Sequence, residues 1–450
     1  MALVSELDLP TFDYTDPSLR GEAFHEAMAK AREEGWLVQA PFGYMVLDRE
    51  AGEHFLRTRS AIFPGMKIAE IFGVTDGPLY EQMKRNILHV NGPDHSRLRS
   101  LVNPALSPRA VERYRPRMRG FLEGLLAGAV AGTPGSPGSA GSASEGANGG
   151  GPAGATVRCD FVEAFAKPYP SQVIASVMGA PLEDAPRLHH WSNWIQKQFD
   201  AGSMASEQEK IGQAVEEFYE YAEGQLRARR EDPGDDLMSM LIAAEEEGER
   251  LSDVECINLV FNILAGGVDT TQSQMAHAIR LLAEHPEQWQ LLAERPELAG
   301  AAVEEALRYE PITPFTARIL TEEITYRDVV FPQDTVVMVC AFTANRDLEE
   351  GDEKAEGEGT AAEEGEKKKD RAGGDPNCFD IAAERGRARP LTFGAGVHYC
   401  LGANLARLEM QEGLVFLSER VRDLALDGEP VYGTVSGIYG LEELPVRFTV

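Results

Sequence analysis

No run of apolar residues approaches the about 18 that a membrane-crossing helix needs. The first twenty residues, MALVSELDLPTFDYTDPSLR, carry neither a basic leader nor an apolar stretch. The expectation is a cytoplasmic protein with no membrane partner. Positive charge is also short: 43 Lys and Arg stand against 73 Asp and Glu, a net charge of −30. That balance excludes nucleic acid and anionic lipid surfaces as partners. Cysteine is sparse and scattered: Cys159, Cys256, Cys340, Cys378 and Cys400, odd in number and with no CxxC pair. A disulfide framework and a zinc site of ordinary spacing are both excluded.

What is present is 450 residues with ample apolar content for a large core. Helical periodicity dominates, with strand-like runs at Trp36 to Asp48, in the stretch ITYRDVVFPQDTVVMVC, and at the C-terminus. The middle run reads as two strands about a Pro-Gln-Asp turn. Residues 131–155 are Gly/Ser/Ala/Pro-rich, and 348–374 are charged and poor in apolar residues. Neither can bury a core, and both are expected to be flexible insertions within a single domain, 1–450.

One stretch stands out against this background: FGAGVHYCLGANLARLE, from Phe393 to Glu409. Gly394 and Gly396 permit a tight loop and close approach to a large flat group. Such a loop can aim several backbone N–H groups at one sulfur. Leu401, Leu405, Leu408, Leu414 and Leu417 recur at helical spacing. Cys400 therefore lies near a helix N-terminus, where the positive end of the dipole favours a thiolate. Gly402 leaves room for a flat face. On these residues alone three readings compete: a thiolate ligand to haem iron, a buried structural cysteine, and a nucleophile paired with His398, for which no third group is evident. The glycines do not fit the GxGxxG of a dinucleotide loop.

Four further patterns precede it. In NGPDHSRLR, Asp94 is placed to cap a helix that carries His95 and Arg99 on one face, a solvated face or a carboxylate-binding one. Ser252 and Glu255 form a capping box that opens a helical pattern running to about His285. Gly266 and Gly267 interrupt it at a cost of about 1 kcal/mol each relative to alanine, and Asp269 and Thr270 follow. An acid beside a hydroxyl in a groove with missing side chains can hold a small gas molecule and pass protons; a packing glycine in a buried helix is the plainer alternative. Glu305 and Arg308, three apart, share a helix face. Arg109, Arg113, Arg115, Arg117 and Arg119 form a basic run that is either a solvated face or a docking surface for an acidic electron donor.

FGAGVHYCLG resembles the haem-binding signature of the cytochrome P-450 family. NGPDHSRLR, GGVDT, EALR and ANRD follow the family's order, and the resemblance runs from about Trp36 to the C-terminus outside the two insertions. It implies a mainly α fold with a small β portion (α+β), the family's helical prism. Haem b would lie between the Gly266–Thr270 helix and the Cys400 helix, with Cys400 on the iron. Phe393, Gly394, Gly402 and Gly266 would lie against the haem, and His95, Arg99, Arg318 and His398 would anchor its propionates. Asp269 would relay protons from water, and Thr270 would steady the oxygen during activation. Glu305 and Arg308 would brace the core with an arginine that follows Phe379 and Asp380. The stretched spacing there leaves Arg385, Arg387 and Arg389 in competition, with Arg385 favoured. Ile312, Phe315, Ile438 and Tyr439 would line a pocket for a hydrophobic small molecule.

The implied reaction is insertion of one atom of O2 into that molecule, with thiolate donation favouring O–O cleavage. The electrons would come from a ferredoxin and its NAD(P)H-dependent reductase. A peroxygenase or isomerase, and a non-catalytic haem-binding sensor, are the alternatives. The Asp269–Thr270 pair speaks against both.

Overall fold

The computed structural model describes residues 1–132, 154–246, 251–347, 374–386 and 388–450. The insertions expected at 131–155 and 348–374 fall almost wholly outside the described residues, as does Arg387.

Nine helices position the site: α1 (Glu22–Glu34), α2 (Gly92–Val102), α3 (Arg115–Gly132), α4 (Pro168–Met178), α5 (Ala185–Gln196), α6 (Asp253–Gly267), α7 (Asp269–Glu284), α8 (Ala299–Tyr309) and α9 (Ala403–Arg420). The Ser252 box opens α6: Ser252 Oγ accepts from the Glu255 N–H at 3.3 Å, and the Ser252 N–H returns a bond to Glu255 Oε2 at 2.9 Å. The long helical pattern is then broken once, at Val268 (φ −93°, ψ −74°), directly after the paired glycines. In α9, Leu405, Leu408, Leu414 and Leu417 are all buried. Asp94 does not cap α2. The helix begins two residues earlier at Gly92, whose φ of +67° turns the chain into it, and Asp94 lies exposed in the first turn.

The largest apolar cluster lies among these helices. Trp191 of α5 packs on Phe218 at 5.8 Å between ring centroids, and Phe218 on Phe261 of α6 at 5.6 Å. Fully burying each such side chain is worth about 1.5–3 kcal/mol.

A second cluster sits on a five-stranded sheet built from β1 (Leu37–Ala40), β2 (Gly43–Val46), β3 (Ala61–Ile62), β4 (Phe315–Leu320) and β5 (Val336–Cys340), in the order β1-β2-β5-β4-β3. The stretch before β5 departs from the expected two strands. Ile324–Tyr326 and Val329–Phe331 form a separate antiparallel hairpin. Arg327 and Asp328 turn it with φ of +49° and +63°. Two successive left-handed residues are the geometry of a tight hairpin turn, here made without glycine or asparagine.

The C-terminal hairpin, β6 (Val431–Tyr432) with β7 (Leu441–Glu443), closes against α1 in a third cluster that includes Phe24, Met28 and Tyr439. No helix among the described residues is long and apolar enough to cross a membrane.

Candidate functional site

The loop before α9 is shaped by two left-handed glycines, Gly394 (φ +68°) and Gly396 (φ +73°). A Cβ on Gly396 would stand 2.5 Å from the Leu56 carbonyl oxygen, so that position admits no other residue. The Cys400 N–H donates to Phe393 O at 2.9 Å and closes the loop. Burial is the largest influence on the Cys400 thiol and pushes its pKa up. The backbone N–H groups of Gly402 and Ala403 and the guanidinium charges of Arg99 and Arg407 act in the opposite direction, toward thiolate.

Cys400 opens on a cavity of about 440 Å³. Gly266, Thr270, Ile312, Phe315 and Ile438 line it, as do Phe393, Gly394 and Gly402 of the cysteine loop. A Cβ built on Gly266, Gly394 or Gly402 would meet nothing within 4 Å. Gly267 is different, because its Cβ would fall 2.4 Å from Ile174 Cδ1 of α4. Both glycines line the cavity, and Gly267 also permits α6 to pack on α4.

The cavity is also cationic on one side. His95, Arg99, Arg318 and His398 all line it. Arg318 is buried, Nη1 donates only to the neighbouring Ala317 O at 2.9 Å, and Nε has no partner. Desolvation alone lowers the Arg318 pKa to about 10. Burial likewise lowers Arg99, and the Cys400 charge offsets it in part. His398 Nε2 donates to Asn91 Oδ1 at 3.1 Å, and its Nδ1 has no partner; neither does His95 Nε2. The two imidazoles lie 4.3 Å apart between centroids. Burial comes first in lowering both, to about 3 for His398, and nearby arginine charge adds to it. Among the described residues no carboxylate forms an ion pair with Arg99 or Arg318. Buried cations without counter-ions are costly, and a ligand that brings carboxylates would satisfy them.

At the α6–α7 junction, Thr270 Oγ1 donates to Gly266 O at 2.5 Å, the back-bond by which a threonine takes up a helix carbonyl. Asp269 does not line the cavity. It turns toward α5, where Oδ2 accepts from Ser192 Oγ at 2.9 Å and Oδ1 lies 3.9 Å from His189 Nε2 without a hydrogen-bond partner. Burial dominates its pKa and raises it, against the lowering effect of His189, Ser192 and Asn193.

Behind the cysteine loop, Glu305 accepts from Arg308 at 2.7 and 2.8 Å and from Arg385 Nη2 at 2.8 Å. Arg308 and Arg385 both also donate to Cys378 O. Arg389 is exposed, and only its carbonyl is engaged there, by Arg49.

The pocket expectation changes at one residue. Tyr439 is not a pocket residue: it is fully buried, its hydroxyl accepts from the Gly21 N–H at 2.9 Å, and its ring stacks on Tyr432. Ile438, one residue earlier, takes the cavity face. The basic run is engaged in part, while Arg109 and Arg117 stay exposed. Arg113 pairs with Asp235 at 2.6 Å, and Arg115 and Arg119 both bind the buried Glu412 of α9. Two residues went unnoticed in the sequence: His189, beside Asp269, and Glu409, which lines the cavity fully buried with both carboxylate oxygens unpartnered. Each looks like an ordinary polar helix residue until the helices are packed.

A thiol backed by N–H groups, open space over three glycines and two desolvated arginines without counter-ions all fit haem b. The comparisons agree. The family model Cytochrome P-450 matches residues 181–350. Luteothin monooxygenase of Streptomyces thioluteus is 30% identical over 445 residues, which cover 98% of this chain and 96% of that protein. Erythromycin C-12 hydroxylase of Saccharopolyspora erythraea is 32% identical over 342 residues, 76% of this chain and 74% of that one. The crystal structure of CalO2 aligns with a TM-score of 0.80 at 28% identity, covering 98% of this chain and 99% of that chain. Likeness over nearly the whole length to a named monooxygenase leaves one assignment: the chain belongs to the cytochrome P-450 family and is a haem-thiolate monooxygenase that takes haem b and inserts one atom of O2 into a small organic molecule.

Proposed function

We propose that the cavity of Cys400 is where a bulky, mostly apolar natural product is oxygenated, with electrons from a ferredoxin and its NAD(P)H-dependent reductase in the cytoplasm. The observation that carries the reading is that Cys400 and the carboxylate-free cluster of Arg99, Arg318, His95 and His398 line one cavity. Cys400 would ligate the iron, the cluster would take the two propionates, and Gly266, Gly394 and Gly402 would leave room for the ring. Relatives named for luteothin and for erythromycin support the substrate class, as does the apolar wall of Ile312, Phe315 and Ile438.

Bound haem supplies the activation of O2, with the thiolate pushing electron density onto iron. The protein's own part is to hold and move protons. Burial raises the Asp269 pKa and so favours its protonated form, His189 Nε2 lies 3.9 Å from its Oδ1, and the Thr270 hydroxyl faces the cavity; in this reading Asp269 passes protons from the His189 side toward Thr270. Glu305, held by Arg308 and Arg385, fixes the segment after Asp375 on α8 and so steadies the cysteine loop that follows.

The test is the carbon monoxide difference spectrum of the dithionite-reduced protein, wild type beside Cys400→Ala. A red-shifted thiolate-type Soret band, absent from the variant, is expected. A histidine-type band in both would sink the assignment of Cys400.

A further inference from the structure

Ile312 and Ile438 both line the cavity, yet neither lies in a helix or strand. Their positions depend on what stands behind them. The two segments are tied directly, the Tyr439 N–H donating to Ile312 O at 2.8 Å. Both are then tied to one face of α7. The Ile312 N–H donates to Gln274 Oε1 at 3.4 Å, and Gln274 Nε2 donates to Glu310 O at 3.0 Å and Ala306 O at 3.3 Å. Three residues on, His277 Nε2 lies 3.1 Å from Tyr439 O, with its ring 5.0 Å from that of Tyr439. Three further on, Arg280 Nε donates to His277 Nδ1 at 3.4 Å. That bond settles the tautomer: Nδ1 accepts, so Nε2 carries the proton and donates to the Tyr439 carbonyl.

Arg280 is itself fixed, donating to Glu310 at 2.7 Å and to Glu284 at 2.7 Å, and Glu310 takes a further contact from His25 of α1 at 3.0 Å. The set is dry: Gln274, His277, Arg280 and Glu310 are all buried. It also rests in one protonation state at neutral pH. Burial lowers His277 to about 3. Burial opposes the Glu310 carboxylate, but His25, Arg280 and His277 outweigh it and hold it at about 2. A buried polar network whose members are satisfied specifies one geometry.

We infer that Gln274, His277 and Arg280 form a positioning stripe on α7 that sets the separation of Ile312 and Ile438, and thereby which part of a bulky substrate is presented for oxygenation. The stripe begins one helical turn after Thr270, so a single rigid helix carries both the proton-handling pair and the side that frames the substrate. The inference rests on the monooxygenase reading of the cavity.

The test uses the full-length protein and two measurements on His277→Leu, Gln274→Leu and His277→Gln. The first is amide hydrogen exchange. In His277→Leu the Tyr439 amide is expected to exchange at least about tenfold faster, while amides of α8 keep their protection. The second is binding of imidazole and of 4-phenylimidazole, read by the Soret shift of the haem-loaded protein. The larger probe is expected to weaken about tenfold and imidazole less than about twofold. Gln274→Leu should do the same from the Ile312 side, and it decides the matter if His277→Leu does not fold. His277→Gln, which keeps a donor for the carbonyl and an acceptor for Arg280, should restore the wild-type ratio. Unchanged Tyr439 exchange with an unchanged affinity ratio overturns the inference. So does loosening that spreads equally through α8, since the residues would then be ordinary core. Absence of a thiolate-type Soret band in the wild type would instead sink the haem-thiolate reading, and the exchange data would still decide the positioning claim.

Discussion

Arg385 Nη2 stands 2.8 Å from Glu305 Oε1, on a carboxylate that Arg308 already holds by two bonds of 2.7 and 2.8 Å. One arginine lies three residues along the same helix; the other comes from a loop 80 residues later in the chain. Burial pushes the Glu305 carboxyl up, but the two guanidiniums outweigh it and hold it below the usual range. Its folded-state pKa is therefore depressed, and its contribution is present above the unfolded value and lost as pH falls. Glu305→Ala leaves two arginines without their shared anion, and a broken buried pair costs about 3–5 kcal/mol. Urea unfolding should show that loss, and Soret absorbance per protein should fall with it. Arg385→Ala should follow in the same direction. Arg389→Ala, at an exposed side chain, should change stability by no more than about 0.5 kcal/mol. Equal losses at Arg385 and Arg389 would remove Arg385 from the brace.

Arg318 gives a prediction whose sign depends on the haem. Without a carboxylate beside it, its buried charge is a liability, as the lowering of its pKa to about 10 by desolvation indicates. Arg318→Leu should therefore raise the thermal midpoint of the haem-free protein. In the haem-loaded protein the same change would remove the charge-assisted bond to a propionate that we propose for Arg318, and haem should be transferred to apomyoglobin about tenfold faster or more. A variant that destabilises both forms equally would mean that Arg318 serves packing alone.

Some of this was legible before the fold was known, for identifiable reasons. Ser252 with Glu255 marks a helix start because the two bonds are local. Gly266 and Gly267 mark a break because a backbone without side chains is a property of the residues themselves. The cysteine loop is legible for the same reason. Other features are decided by distant partners. Arg115 and Arg119 read as a solvated basic face, yet both are claimed by Glu412, 297 and 293 residues away. Ile438 and Tyr439 are adjacent and both apolar enough for a pocket; the Gly21 N–H and the rings of Phe24, His277 and Tyr432 decide that the tyrosine turns inward. The hairpin turn at Arg327 and Asp328 was hidden because Arg327 gives no sign of a left-handed backbone and Asp328, which tolerates one, has no glycine beside it.

Asp269 couples stability to turnover with opposite signs. Burial raises its pKa above the unfolded value of about 3.9. The folded state thus binds the extra proton, and stability is lost as pH rises above about 4. Asp269→Asn removes that loss, so the variant should melt above the wild type by a margin that grows with pH. On the proposed proton path the same variant loses the carrier between His189 and Thr270, and turnover with reductase and ferredoxin should fall by about 100-fold. His189→Gln should reduce the rate less and displace the pH profile. An Asp269→Asn variant with wild-type turnover would remove Asp269 from the proton path.

Two buried carboxyl groups on α9 make the clearest paired experiment. Glu409 and Glu412 are both 0% exposed. Glu412 is held by Arg115 and Arg119, whereas neither oxygen of Glu409 has a hydrogen-bond partner. Burial alone pushes the Glu409 carboxyl well above its ordinary pKa. As for any carboxyl raised in the folded state, stability drains away with increasing pH. An unsatisfied buried polar group costs about 1–3 kcal/mol, so Glu409→Leu should stabilise the protein by that order, and by more at alkaline than at mildly acid pH. Glu412→Leu should do the reverse. It removes a partner from Arg119 and one of two from Arg115, which also holds Glu112; with both guanidiniums partly exposed to water, the loss should be about 1–3 kcal/mol. Urea midpoints of both variants across that pH range separate the cases. If Glu409→Leu is destabilising at every pH, the carboxyl must be satisfied in the haem-loaded enzyme, by water or ligand in the cavity that it lines, and its two free oxygens would mark a binding position.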